Sequence, residues 1–322
     1  MIPFDRYDKD TLKTMFDGQE VSPLLPYYSF DSDREVANKV LEGNGRISLS
    51  GVQPKYAMVV DNGKLRLTER EERGTYILKP APTESFILDR DECPVNEYLT
   101  MHIAEQVFGI PTAKNCLCFL RNGKPAYLTK RFDITRDGEK IQQEDFASIA
   151  GISKDTHGKN YKYDVLSYEE CANLISEHVK AAKVEVLKFF RLVVFNYLFC
   201  NDDAHAKNFS LIAYKNNDYV LTPAYDLLNT MLHLAQPQIF ALTKGLFREG
   251  MLIDDTHSVT RSSFEEFGKR IGLPPRLVDY ELGVFAEENS DVRSWVEKSD
   301  LSDSSKSLYY TTYDYQRKTL GR

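Results

Sequence analysis

The stretch Asn201-Asp202-Asp203-Ala204-His205-Ala206-Lys207-Asn208 decides how this chain is read. Behind it, Val184–Phe199 is largely apolar and reads as a central helix; ahead of it, Phe209–Tyr214 and Asp218–Leu221 read as a short hairpin. Asp203 and Asn208 stand in Asp-x-x-x-x-Asn spacing, that of a kinase catalytic loop. In that geometry the aspartate faces a substrate hydroxyl, the asparagine carbonyl turns toward magnesium, and Lys207 can neutralise the transferring phosphoryl group. Taken alone, the spacing fits a polar turn that caps a helix equally well.

The rest of phosphoryl-transfer chemistry is sought outward from this loop. Leu221-Thr222-Pro223-Ala224-Tyr225-Asp226 places Asp226 just past the hairpin, where a kinase keeps its metal-binding aspartate. With Asn208 it offers the oxygen ligands that Mg²⁺ takes; its bland reading is an N-cap of the Leu227-Leu228 segment. Upstream, Thr75–Lys79 reads as a strand ended by Pro80, and a lysine at a strand end can reach ATP phosphates. Glu97 on the following helix can hold Lys79 as an ion pair, although Glu92 and Glu105 lie near as well. Gly43–Lys55 contains Ser50, Gly51 and Lys55 and is small and polar, so its backbone N–H groups can approach phosphate closely. It is not a Walker A loop, and an ordinary connector would have the same composition. The order of these parts says more than any one: loop, strand lysine, helix glutamate, Asp-x-x-x-x-Asn, hairpin, Asp.

Composition limits the alternatives. The 322 residues suffice for two lobes with a core each, and 42% hydrophobic with 28% charged residues describes an ordinary globular protein. A net charge of −7 argues against broad direct nucleic-acid binding. The 5 cysteines read as buried hydrophobes in a reducing cytosol; Cys116 and Cys118 share a strand face but lack a matching pair at zinc spacing. The polar start of the chain is no signal peptide and no apolar run is long enough for a membrane span, so a cytoplasmic location is expected.

The spacing of apolar and turn residues predicts an α+β fold in two lobes. Residues 1–132 form a small β-rich lobe: a helix near Tyr7–Phe16, a helical stretch Ser32–Leu41, strands at Tyr56–Val60, Leu65–Leu67 and Thr75–Lys79, a helix Pro94–Phe108, and strands Cys116–Leu120 and Ala126–Arg131. Residues 133–322 form a mostly helical lobe, with helices at Tyr168–Ser176, Val184–Phe199, Ser262–Ile271 and Leu277–Phe285. The tail from Ser302, rich in Ser and Tyr, reads as a packed or frayed terminus.

Ile47–Lys55, Tyr76–Pro80, Leu128–Asp133, Asn201–Ser210 and Pro223–Leu227 resemble the HipA-like serine/threonine kinase toxins, whose fold is related to protein and phosphoinositide kinases. The resemblance implies ATP and Mg²⁺ as cofactors, Asp203 as catalytic residue, and Asn208 and Asp226 as magnesium ligands. It implies that Lys79 binds ATP phosphates, that Lys130 to Phe132 form the adenine hinge, and that His205 and Tyr225 line the nucleotide. It further implies an aminoacyl-tRNA synthetase as protein substrate, translation inhibition and growth arrest, and a HipB-like DNA-binding antitoxin through which nucleic acid is met indirectly. Only forty-odd residues precede Ser48, where a full-length member has an amino-terminal subdomain of about a hundred. The chain therefore resembles the short form, HipT, whose missing subdomain is a separate HipS-like small protein. In this family the loop serine is autophosphorylated; Ser48 and Ser50 are the candidates, and a phosphoserine there would repel ATP phosphates. A small-molecule or lipid kinase, or a catalytically silent antitoxin-binding module, are the rival readings.

Overall fold

The computed structural model describes residues 6–30, 53–213, 218–252 and 258–322. The expected helix at Ser32–Leu41 and the residues Ser48, Ser50 and Gly51 lie outside them. An antiparallel sheet holds β1 (Tyr56–Asp61), β2 (Lys64–Leu67), β3 (Tyr76–Pro80), β4 (Asn115–Phe119) and β5 (Pro125–Lys130) in the order β2-β1-β3-β5-β4. The β1–β2 turn is Asn62-Gly63, both at positive φ, the tight hairpin that this dipeptide favours.

Alternation along the strands gives the sheet two faces with different neighbours. Met58, Leu78, Cys116, Cys118 and Leu128 share a core with α1 (Lys9–Phe16), which brings Leu12, Met15 and Phe16. Both cysteine thiols are therefore packed among apolar side chains, and all five cysteines are buried and unbridged. Leu117, Phe119 and Tyr127 face the other way, into a core with α2 (Cys93–Gln106). Lys79 shares this second face, which turns it toward α2 and away from solvent.

A second antiparallel sheet, β6 (Gln143–Asp145), β7 (Ser210–Ala213) and β8 (Tyr219–Leu221), has the order β6-β7-β8. Short helices α3 (Phe146–Ile149), α4 (Lys154–His157) and α5 (Tyr161–Asp164) follow β6, and then come α6 (Tyr168–His178) and α7 (Ala182–Leu198). From Leu192 to Leu198 every residue of α7 is buried, so the second half of this helix is enclosed on every side, as its apolar sequence demands, while Val184 near its start is exposed. The hairpin β7–β8 is tied to it by Glu185, which accepts the Leu221 N–H at 3.0 Å. α8 (Arg261–Arg270), α9 (Pro275–Ala286) and α11 (Asp303–Leu320) pack on α7, and α10 (Ser290–Lys298) lies against α2 and α11. The tail from Ser302 is packed: Tyr309 and Tyr313 of α11 are buried against Phe199. No helix among the described residues is long and apolar enough to cross a membrane.

Candidate active site

Lys79 is the penultimate residue of β3, and α2 follows from Cys93. Lys79 Nζ lies 2.5 Å from Glu97 Oε1 and also bonds Asp226 Oδ1. Glu97 is thus the partner among the three glutamates; Glu92 accepts from Ser302 N, and Glu105 pairs with Lys114. Lys79 and Glu97 are only 3% and 2% exposed, so neither charge is sheltered by water. Lys55 supplies a second cation, its Nζ 3.2 Å from Asp226 Oδ2.

The electrostatics of this cluster are unequal. Burial opposes charge on Lys79, but Asp226 and Glu97 outweigh it and hold the lysine above its ordinary pKa. Burial likewise pushes Asp226 up, and Lys55 and Lys79 together overcome that and hold it well below the usual carboxylate range. Glu97 is pushed up to about 7, first by burial and further by Asp226, against the pull of Lys79.

The turn after α7 brings in Asp203, which is 1% exposed. Asn201 joins the two acidic centres: its Oδ1 accepts the Asp203 N–H at 3.2 Å, and its Nδ2 reaches the Asp226 carbonyl at 3.4 Å. Cys200 and Asp226 both have left-handed backbone conformations, φ 52° and 56°, unusual outside glycine. Thr230 braces the first of these: its Oγ1 donates to the Cys200 carbonyl at 2.6 Å and accepts the Asp202 N–H at 3.1 Å.

Asn208 closes the loop. Its Nδ2 donates to the Asp203 carbonyl at 2.7 Å, which fixes the amide's orientation and directs Oδ1 away from that bond. An amide oxygen and a carboxylate that already attracts two cations form a hard donor set suited to Mg²⁺. His205 is 3% exposed, and burial, against the attraction of Asp203, lowers its pKa to about 4, so the ring is neutral. Its Nε2 is 3.8 Å from Asp203 Oδ1, too long for a hydrogen bond, and neither ring nitrogen has a hydrogen-bond partner among the described residues.

Of the remaining expected residues, Phe132 and Tyr225 meet, with ring centroids 5.8 Å apart. Tyr225 OH shares a 2.6 Å contact with Ser210 Oγ and donates to the Lys207 carbonyl at 3.0 Å. Lys207 and Lys130 are engaged elsewhere: Lys207 Nζ lies 3.0 Å from Asp145 Oδ2 at the start of α3, and Lys130 Nζ 2.8 Å from Asp17 beyond α1. Two neighbours of Asp203 carry no sequence motif. Tyr163 of α5 donates to Asp203 Oδ1 at 2.8 Å, and Lys162 beside it has its pKa lowered by burial in spite of the nearby Asp203.

Comparison with known proteins gives the family. The HipA-like C-terminal domain matches residues 47–291. A Haemophilus influenzae protein named "Putative kinase" is 28% identical over 297 residues, covering 86% of this chain and 81% of its own. The Sinorhizobium fredii "Putative kinase Y4mE" is 31% identical over 192 residues, 58% of this chain and 43% of that protein. Among solved structures, HipA of Shewanella oneidensis MR-1, determined with HipB and operator DNA, superposes with a TM-score of 0.67 at 20% identity, covering 92% of this chain and 73% of that one. The Helicobacter pylori proinflammatory kinase CtkA gives 0.51 at 17% identity, over 82% of this chain and 93% of its own. The matched domain spans most of the chain and its relatives are named as kinases, so this protein belongs to the HipA-like kinase family.

Proposed function

We propose that the chain is a toxin-type serine/threonine protein kinase with two lobes, residues 1–132 and 133–322, that transfers the γ-phosphate of ATP to a protein hydroxyl. The observation that carries this reading is the joining of two centres through Asn201: Lys79, Glu97 and Asp226 on one side, Asp203 and Asn208 on the other. Phosphoryl transfer asks a protein for positioning and charge compensation rather than covalent chemistry, and these groups supply both. Lys79, kept charged and pre-aimed by Glu97, would bind α- and β-phosphate oxygens. Lys55 would reach the phosphates from the end of the 43–55 loop. Asp226 and Asn208 would hold Mg²⁺, which when bound supplies charge neutralisation at the phosphates. Asp203 would orient the acceptor hydroxyl and accept its proton. Phe132 and Tyr225 would flank the nucleotide, with neutral His205 beneath it.

The family resemblance supports an aminoacyl-tRNA synthetase as substrate, with growth arrest as the outcome. It also supports autophosphorylation at Ser48 or Ser50 as the regulator. The HipA structure was solved with HipB and operator DNA, which supports a HipB-like antitoxin here; the short-form reading adds a HipS-like subunit. Incubating cell lysate with radiolabelled ATP tests the activity. Labelled protein bands that vanish with Asp203→Ala are expected, whereas label confined to small molecules would overturn the protein-kinase reading. By intact mass, each compared with its own unmodified sequence, the wild type should carry whole phosphates that Asp203→Ala lacks, located at Ser48 or Ser50; equal phosphate counts rule out autophosphorylation.

A further inference from the structure

Asp203 cannot orient a hydroxyl unless its own carboxylate is oriented. Its backbone is held by Asn201 and Asn208, but backbone bonds leave the side-chain torsions undetermined. The side chain is reached by Tyr163, whose hydroxyl donates to Oδ1 at 2.8 Å between two residues that are each 1% exposed. Tyr163 is itself immobilised. Its ring stands edge-on to His205, with centroids 5.0 Å apart. Its N–H bonds the Asn160 carbonyl at 2.8 Å, and its carbonyl accepts from Thr243 N at 3.0 Å. Thr243 Oγ1 also bonds Asp164 Oδ1 at 2.6 Å, so α5 is clipped from behind to the 241–246 segment. A donor held this firmly, at a buried carboxylate, is more than packing requires: a phenylalanine would fill the same space.

We propose that Tyr163 is a positioning residue that fixes the Asp203 carboxylate for attack by the acceptor hydroxyl, which makes α5 a working part of the active site. The proposal rests on the kinase reading above. With Oδ1 held, the side-chain torsions of Asp203 are restrained, and so is the direction from which the carboxylate meets a hydroxyl. The bond acts on acceptor geometry and leaves the Lys79, Glu97 and Asp226 cluster untouched, so its loss belongs in kcat and not in ATP affinity.

The test uses Tyr163→Phe and Asp203→Ala in the full chain, singly and together. Tyr163→Phe is expected to lower kcat about ten- to hundredfold, the range a small misplacement of a reacting group produces. Its KM for ATP and its binding of a fluorescent ATP analogue should stay at wild-type values. Wild-type kcat in Tyr163→Phe, or an equal loss in nucleotide affinity, would overturn the proposal. Thermal unfolding keeps it open to refutation even if Tyr163→Phe folds poorly. In the Asp203→Ala background no carboxylate awaits the hydroxyl, so Tyr163→Phe should cost less stability there; the same cost in both backgrounds counts against a specific bond. Full activity in Asp203→Ala alone would sink the kinase reading itself, an outcome distinct from failure of Tyr163→Phe.

Discussion

Lys79 and Lys55 both touch Asp226, yet burial makes them different residues. Lys79 is enclosed with two carboxylates, and its removal leaves Glu97 without its bonded cation and Asp226 with Lys55 alone. Breaking a buried pair from one side costs about 3–5 kcal/mol, because the surviving charge keeps its desolvation penalty. Lys55 keeps 38% of its side chain exposed, and water can replace it at a cost of about 1 kcal/mol or less. Lys79→Met is therefore expected to lose both activity and urea resistance, whereas Lys55→Met weakens ATP use with little change in the urea midpoint. Adding Glu97→Gln to Lys79→Met removes one stranded carboxylate and should restore part of the stability and none of the activity. Recovery of activity in that double variant would show that Lys79 is structural only. At this scale the sequence was informative where chemistry repeats as spacing: Asp203, Asn208, Asp226 and Lys79 could be picked out. Asn201 and Tyr163 could not, because each works by a tertiary contact, and an asparagine or a tyrosine leaves no pattern in the chain.

Elements were legible in proportion to their own periodicity. The strands β1 to β5, α2 and α7 announce themselves by alternation, apolar spacing and turn residues, since each buries a face that its sequence must supply. The region 143–164 was opaque: β6 is polar, and α3, α4 and α5 have four residues each, too short to show a helical face. α3 and α5 pack against the 206–208 turn of the catalytic loop, whereas α4 buries none of its residues. The Ser/Tyr-rich tail hid α11, although Ser302 caps it and Tyr309 and Tyr313 are one turn apart. The contact between α8 and α9 gives an element-scale test. Gly268 lies inside α8, where Gly→Ala ordinarily gains about 1 kcal/mol of helix propensity. Here the new Cβ would stand 2.5 Å from Val278 Cγ2 of α9, and overpacking of this kind costs about 1–3 kcal/mol. Gly268→Ala should therefore destabilise the wild type, yet be neutral or stabilising in a Val278→Ala background. A double-mutant cycle by denaturant titration measures the coupling, and additive effects would show that the helices simply move apart.

The molecule is closed by a buried polar network that unites segments distant in sequence. Asn96, next to Glu97 on α2, accepts Asn229 N at 3.0 Å and donates to the Asn229 carbonyl at 2.8 Å; Thr100 meets Tyr309 of α11 at 2.8 Å. Asn229 stands three residues past Asp226, so this clamp sets the distance between the helix bearing Glu97 and the aspartate that shares its lysine. His233 completes the network, and its hydrogen bonds dictate its charge. Nδ1 lies 2.9 Å from the Leu88 carbonyl, which can only accept, so Nδ1 carries the proton. Nε2 lies 2.9 Å from Asn96 Nδ2, which can only donate, so Nε2 must offer its lone pair. Burial lowers the pKa of His233, outweighing its bond to Leu88 and the fields of Glu92 and Asp89, and a proton on Nε2 would also set two donors against each other. His102 and His205 are lowered as well, in both cases chiefly by burial. The sign follows from linkage: below about pH 6.5 the unfolded chain takes up protons that the folded one refuses. Stability is then complete above that pH and is lost as pH falls from there toward the lowered folded values. Glu97, pushed up to about 7 by burial, acts in the opposite sense over the same range, so the histidine contribution is read as a difference: between pH 7 and pH 5 the melting temperature of the wild type should fall relative to that of His233→Gln, which keeps polar atoms in the network but cannot titrate. An unchanged pH slope in His233→Gln would show that His233 accepts a proton without leaving the clamp, and that the coupling between α2 and Asp226 does not depend on its charge.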